Sequence, residues 1–83
     1  MTFFAEVVGH PDVQCPATIQ ISPTDILLSV DGIPATIPRA AIIRYWREST
    51  SVYVLWKRGH SECLTMLSFD NRRDARTTSA LLK

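Results

Sequence analysis

Eighty-three residues leave room for one hydrophobic core and no second domain, so residues 1–83 are expected to form a single domain without a deep cavity for a large cofactor. Hydrophobic residues at 46% and charged residues at 20% make an ordinary globular composition, which argues against intrinsic disorder. Nine Lys or Arg against eight Asp or Glu leave a net charge of +1, so no global field draws the chain to nucleic acid or to an anionic bilayer.

The first segment, residues 2–8, is apolar, but it carries Glu6, lacks a basic flank and runs straight into His10, Pro11 and Asp12. It reads as a strand, not a signal peptide. No window reaches the roughly 18 uncharged apolar residues of a membrane span. The expected compartment is the cytoplasm, with Cys15 and Cys63 as reduced thiols.

Prolines and turn dipeptides then punctuate the chain. Pro11 and Pro16 bracket a loop, Ser22-Pro23-Thr24-Asp25 forms a turn, Asp31-Gly32 is a strong turn signal, and Pro34 and Pro38 flank a short run. Alternation and β-branched content place strands over residues 17–21, 26–30, 35–37, 41–47, 52–57 and 63–69, seven in all with the first. Glu48-Ser49-Thr50-Ser51 reads as the hairpin loop between the fifth and sixth. After Phe69, Asp70 is the expected N-cap of a helix of about 13 residues, marked by Ala75, Thr78 and Leu82 at helical spacing. So short a helix is marginal alone, and is expected to dock through Ala75, Leu81 and Leu82.

Seven antiparallel strands and one C-terminal helix allow a mostly β (α+β) barrel or sandwich with a helical plug. The stretches Ala17-Thr-Ile-Gln-Ile-Ser, Asp25-Ile-Leu-Leu-Ser-Val-Asp-Gly, Ile37-Pro-Arg and Ile42-Ile-Arg-Tyr-Trp, and the exit Leu67-Ser-Phe-Asp followed by Ala80-Leu-Leu, resemble pleckstrin-homology, GRAM-like and phosphotyrosine-binding domains. The resemblance implies a seven-stranded barrel capped by the helix. It also implies a binding module.

Chemistry-bearing groups are sparse. His10 and Cys15, with His60 and Cys63, form a donor set suited to tetrahedral zinc, yet their spacings match no standard knuckle, and the expectation is no metal and no cofactor. A Cys and His nucleophile would lack a third, orienting group. There is no Gly-x-Ser-x-Gly, and the three glycines, Gly9, Gly32 and Gly59, make no phosphate-cradling loop, so the chain is not expected to be an enzyme.

Lys57-Arg58-Gly59-His60, with Arg44 and Arg47, reads either as solvated strand ends or as a local phosphate or lipid-headgroup patch. Phosphoinositide-binding pleckstrin-homology domains draw their basic residues from the loop after the first strand. Here Gly9 to Cys15 contains no Lys or Arg, which points to weak lipid binding at most. Ile43-Arg44-Tyr45-Trp46 and Val52 to Arg58 are similar to the strands of the insulin-receptor-substrate type of phosphotyrosine-binding domain, with Trp46 in place of its Gly and Lys57 in place of its Arg. That resemblance implies a protein or peptide added along the fifth strand, in a groove walled by Ala75, Thr78 and Leu82. The same edge suits a homodimer. The expected partner-binding residues are Ile43, Arg44, Trp46, Arg47, Trp56, Lys57 and Arg58, with Trp46 as the outward anchor.

Overall fold

A computed structural model describes residues 2–9, 13–30 and 32–83, and the side chains of residues 3, 17–29 and 32–83. Seven strands follow one another: β1 (Thr2–Gly9), β2 (Val13–Ile21), β3 (Asp25–Val30), β4 (Ile33–Pro38), β5 (Ile42–Glu48), β6 (Ser51–Arg58) and β7 (Ser61–Phe69). A 3-10 turn, η1 (Arg39–Ala41), separates β4 from β5, and the helix α1 (Arg72–Leu81) follows β7. Six of the seven expected strand segments fall within observed ones, and the fifth, expected over residues 41–47, loses Ala41 to η1. The second begins earlier than its alternation suggested and runs through Pro16, which sits opposite Glu6 before the β2–β3 ladder begins at Ala17 and Val30. There, among the described residues, β2 has β1 on one side and no paired strand on the other.

The strands form one antiparallel sheet in the order β4-β3-β2-β1-β7-β6-β5. This corrects the expected seven-stranded pleckstrin-homology-like barrel, because β4 and β5 are the two ends of the sheet and no main-chain ladder joins them. A side chain and a helix end span the gap instead. Arg39, at the start of η1, donates from Nη1 to the Ser22 carbonyl (3.3 Å) and from Nη2 to the carbonyls of Leu81 (2.9 Å) and Lys83 (3.3 Å). A cation at a helix C-terminus suits the macrodipole and satisfies carbonyls that the helix leaves unpaired.

Alternation builds the core. Ile26 and Leu28 of β3, Val52 and Val54 of β6, and Thr65, Leu67 and Phe69 of β7 are buried, while their neighbours face outward. Phe3 meets Phe69 edge to face at 6.0 Å, across the β1–β7 ladder that joins the two halves. Ile19, Ile26 and Ile37 from one half pack in the same cluster as Val52, Val54 and Leu67 from the other.

The helix completes this core with Ala75, Thr78 and Leu82. Leu81, expected to dock, is 39% exposed, because it lies one step round the helix from Leu82. Asn71, not Asp70, is the N-cap: its Oδ1 accepts from the Asp74 amide at 2.8 Å, and its Nδ2 donates to the Asp74 carboxylate at 3.2 Å. Both residue types cap well, and the one a single position closer to the first turn reaches the N3 amide.

Thr78 is fully buried and its hydroxyl has no hydrogen-bond partner. Neighbouring Thr77 does bond back to the Arg73 carbonyl, at 2.9 Å. An orphaned buried hydroxyl costs about 1–3 kcal/mol. Thr78→Val keeps the shape and removes the orphan, so it is expected to raise stability by about 1 kcal/mol in urea denaturation. An unchanged or lower midpoint would show that the hydroxyl finds a partner in solution.

Candidate binding edge

Of the two sheet edges, β4 carries Pro34 and Pro38, opposite Ser29 and Asp25, and prolines on an edge strand stop a further strand from adding. The β5 edge carries none. Its partner on the inside is β6, in the register Arg44 to Leu55, Tyr45 to Val54, Trp46 to Tyr53, Arg47 to Val52 and Glu48 to Ser51. The hairpin loop is reduced to Ser49 and Thr50, with Ser49 in the left-handed region at φ 54°. Arg47 Nη1 donates to the Ser49 carbonyl at 3.1 Å, and the Phe69 amide to the Thr50 carbonyl at 2.9 Å, so both turn carbonyls are held.

A two-residue turn is closed by a hydrogen-bonded pair, here Glu48 and Ser51. Alternation from that pair turns the main-chain N–H and C=O of Trp46 and Arg44 toward β6, and those of Arg47 and Tyr45 toward the open edge. At the other end of β5 the register slips between Ile42 and Arg44, leaving Ile43 as a bulged residue, 50% exposed. The regular part of the edge is therefore Arg44 to Glu48.

Beside it lies a groove of about 490 Å³ lined by Arg39, Ile42, Ile43, Arg44, Tyr45 and Leu82. It runs between the base of β5 and the end of α1. Ala75 and Thr78, expected as its wall, are wholly buried and do not line it, so Leu82 alone represents the helix. Another hollow, of about 210 Å³, lies on the outer side of β2 to β4 around Leu27 and Pro34.

The expected binding residues do not form one set. On the outer face of the sheet, Trp46 stacks on Tyr53 (centroids 5.2 Å apart, planes 6° from parallel), and the Arg44 guanidinium sits 5.0 Å from the Trp46 ring centre. Both rings are half-buried, and Leu64 on the same face is 44% exposed. Trp56 is on the opposite face, packed against the core, with Nε1 donating to Thr65 Oγ1 at 3.0 Å. Arg44 and Trp46 thus share a surface with the open edge, and Trp56 does not.

The basic patch also divides. Arg47 lies opposite Val52, five residues and about 17 Å along β6 from Lys57. Lys57 and Arg58 are exposed at the far end of the hairpin, with Lys57 opposite Glu62. One phosphate does not bridge that distance. His10 and the Cys15 side chain lie outside the described residues; His60 is exposed and Cys63 is a half-buried free thiol. Among the described residues no three His, Cys, Asp or Glu side chains gather as a metal site, and no helix is long and apolar enough to cross a membrane.

Sequence reading missed Arg39, an isolated cation in a polar turn with no periodic signal. The turn Ser22-Pro23-Thr24-Asp25 was expected, but not its contacts: Ser22 Oγ donates to Asp25 Oδ1 at 2.7 Å and the Arg39 amide donates to the Thr24 carbonyl at 3.0 Å, anchoring η1. Comparison with protein-family models, curated proteins and solved structures finds no match to this chain.

Proposed function

We propose that this chain is a non-enzymatic interaction module that receives an extended protein segment as an added strand along β5. The supporting observation is the asymmetry of the sheet ends: the β4 edge is blocked by two prolines, whereas β5 offers the main-chain groups of Tyr45 and Arg47 beside a groove of mixed character, in which Ile42, Ile43 and Leu82 stand with Arg39 and Arg44. Main-chain pairing supplies affinity in such additions, and alternate side chains supply selectivity. Here the segment would meet Trp46 and Arg44 on the outer face, and Ile43 and Leu82 at the groove.

Ile43 is the bulged residue, so the discriminating substitution is at Arg47, whose N–H points away from β6. Extended peptides selected from a displayed random library are expected to shift the Tyr45 and Arg47 amide resonances. Arg47→Pro removes an edge donor without breaking the β5–β6 ladder and is expected to abolish binding, whereas Arg47→Ala, which keeps the donor, retains it. Binders that tolerate Arg47→Pro, with shifts clustered around Gly32 and His60, would move the site to the loops and overturn the reading.

A further inference from the structure

The order of charges along the open edge is self-complementary. Arg44, Trp46 and Glu48 alternate on the outer face, as their register with Leu55, Tyr53 and Ser51 fixes, and Trp46 is the midpoint of the regular stretch between the bulge and the turn. A second β5 laid antiparallel about a two-fold axis through Trp46 brings Arg44 opposite the other copy's Glu48, Trp46 opposite its twin, and Glu48 opposite the other copy's Arg44. Every charged residue on that face meets its opposite sign. A register displaced by two residues places Arg44 opposite Trp46, or Trp46 opposite Glu48, and loses these pairs.

The main chain obeys the same axis. Tyr45 and Arg47, whose N–H and C=O face the open edge, come opposite each other across the interface as hydrogen-bonded pairs, while Trp46 forms the non-hydrogen-bonded pair in which side chains approach closest. The rings then run Tyr53, Trp46, Trp46, Tyr53 across the joint, extending the stack already present in one copy. We infer that the partner received by β5 is a second copy of this chain, joined in that register into a two-fold dimer. This rests on the strand-addition reading above and names its occupant.

Sedimentation equilibrium of the full chain is expected to show a reversible monomer–dimer equilibrium. Glu48→Arg, or Arg44→Glu, sets like charges opposite each other at both ends of the joint and is expected to weaken dimerisation by about tenfold or more. The double reversal, Arg44→Glu with Glu48→Arg, exchanges the signs and restores it. Rescue by the double variant is a readout that mere misfolding of either single variant cannot produce. In a Cys63→Ser background, Trp46→Cys is expected to cross-link the dimer through a disulfide, since directly opposed non-hydrogen-bonded residues lie about 4.5 Å apart at Cα, and Arg44→Cys is not.

A chain that stays monomeric at high concentration but still binds selected peptides in an Arg47→Pro-sensitive manner would overturn this inference and leave strand addition standing. A dimer that survives Arg47→Pro, or single reversals that are not rescued by the double one, would remove the register.

Discussion

Leu82→Asp is expected to lower the stability of the domain by about 3–5 kcal/mol, much of what an 83-residue domain possesses. Leu82 follows α1 and is only 6% exposed, in one cluster with Ile37, Val54 and Ala75. A carboxylate there is set among apolar side chains, and the neighbouring Arg39 guanidinium is already engaged by the carbonyls of Ser22, Leu81 and Lys83. The loss also bears on the groove, since Leu82 lines its helical side, and the carbonyls of Leu81 and Lys83 are the ones that Arg39 holds. Urea denaturation followed by circular dichroism measures the effect. A midpoint unchanged from the parent would mean that the helix is not docked in solution.

Ile26→Ala is expected to cost about 2–5 kcal/mol, the range for removing three methyl or methylene groups from a close-packed core. Ile26 is fully buried on β3, in the half of the sheet that contains neither tryptophan. Trp46 and Trp56 stand on β5 and β6. If the two halves share one core, tryptophan fluorescence must report the same lowered midpoint as circular dichroism. A fluorescence transition that ignores the substitution would show that β5 to β7 and α1 unfold on their own.

Much of the fold was legible because it is encoded locally. Val52 and Val54 announced their buried face by period-two alternation, and Ala75, Thr78 and Leu82 theirs by helical spacing. What was not legible depends on register. The bulge at Ile43 changes the phase of β5 relative to β6, and no residue type in Ile42-Ile43-Arg44 signals it. Trp56 carries the composition of a surface anchor, but the alternation that buries Val52 and Val54 places it on their face, where Thr65 meets its indole N–H; there composition outweighed a signal the sequence did hold. The expected basic cluster failed on register, since antiparallel pairing carried Arg47 and Lys57 to opposite ends of one hairpin. Closure of the sheet was beyond strand cadence altogether, because it turns on whether the first and last edges meet, a property of twist and stagger summed over seven strands.

Pro34 and Pro38 carry a consequence for growth. A sheet with two receptive edges adds copies head to tail, β4 of one on β5 of the next, and such an arrangement has no reason to stop; it is the geometry of fibres. With β4 barred, only like edges can meet, and a joint between like edges uses up the receptive surface of both chains at once. Under the strand addition proposed above, the two prolines thus limit assembly to a pair and keep an open strand from polymerising.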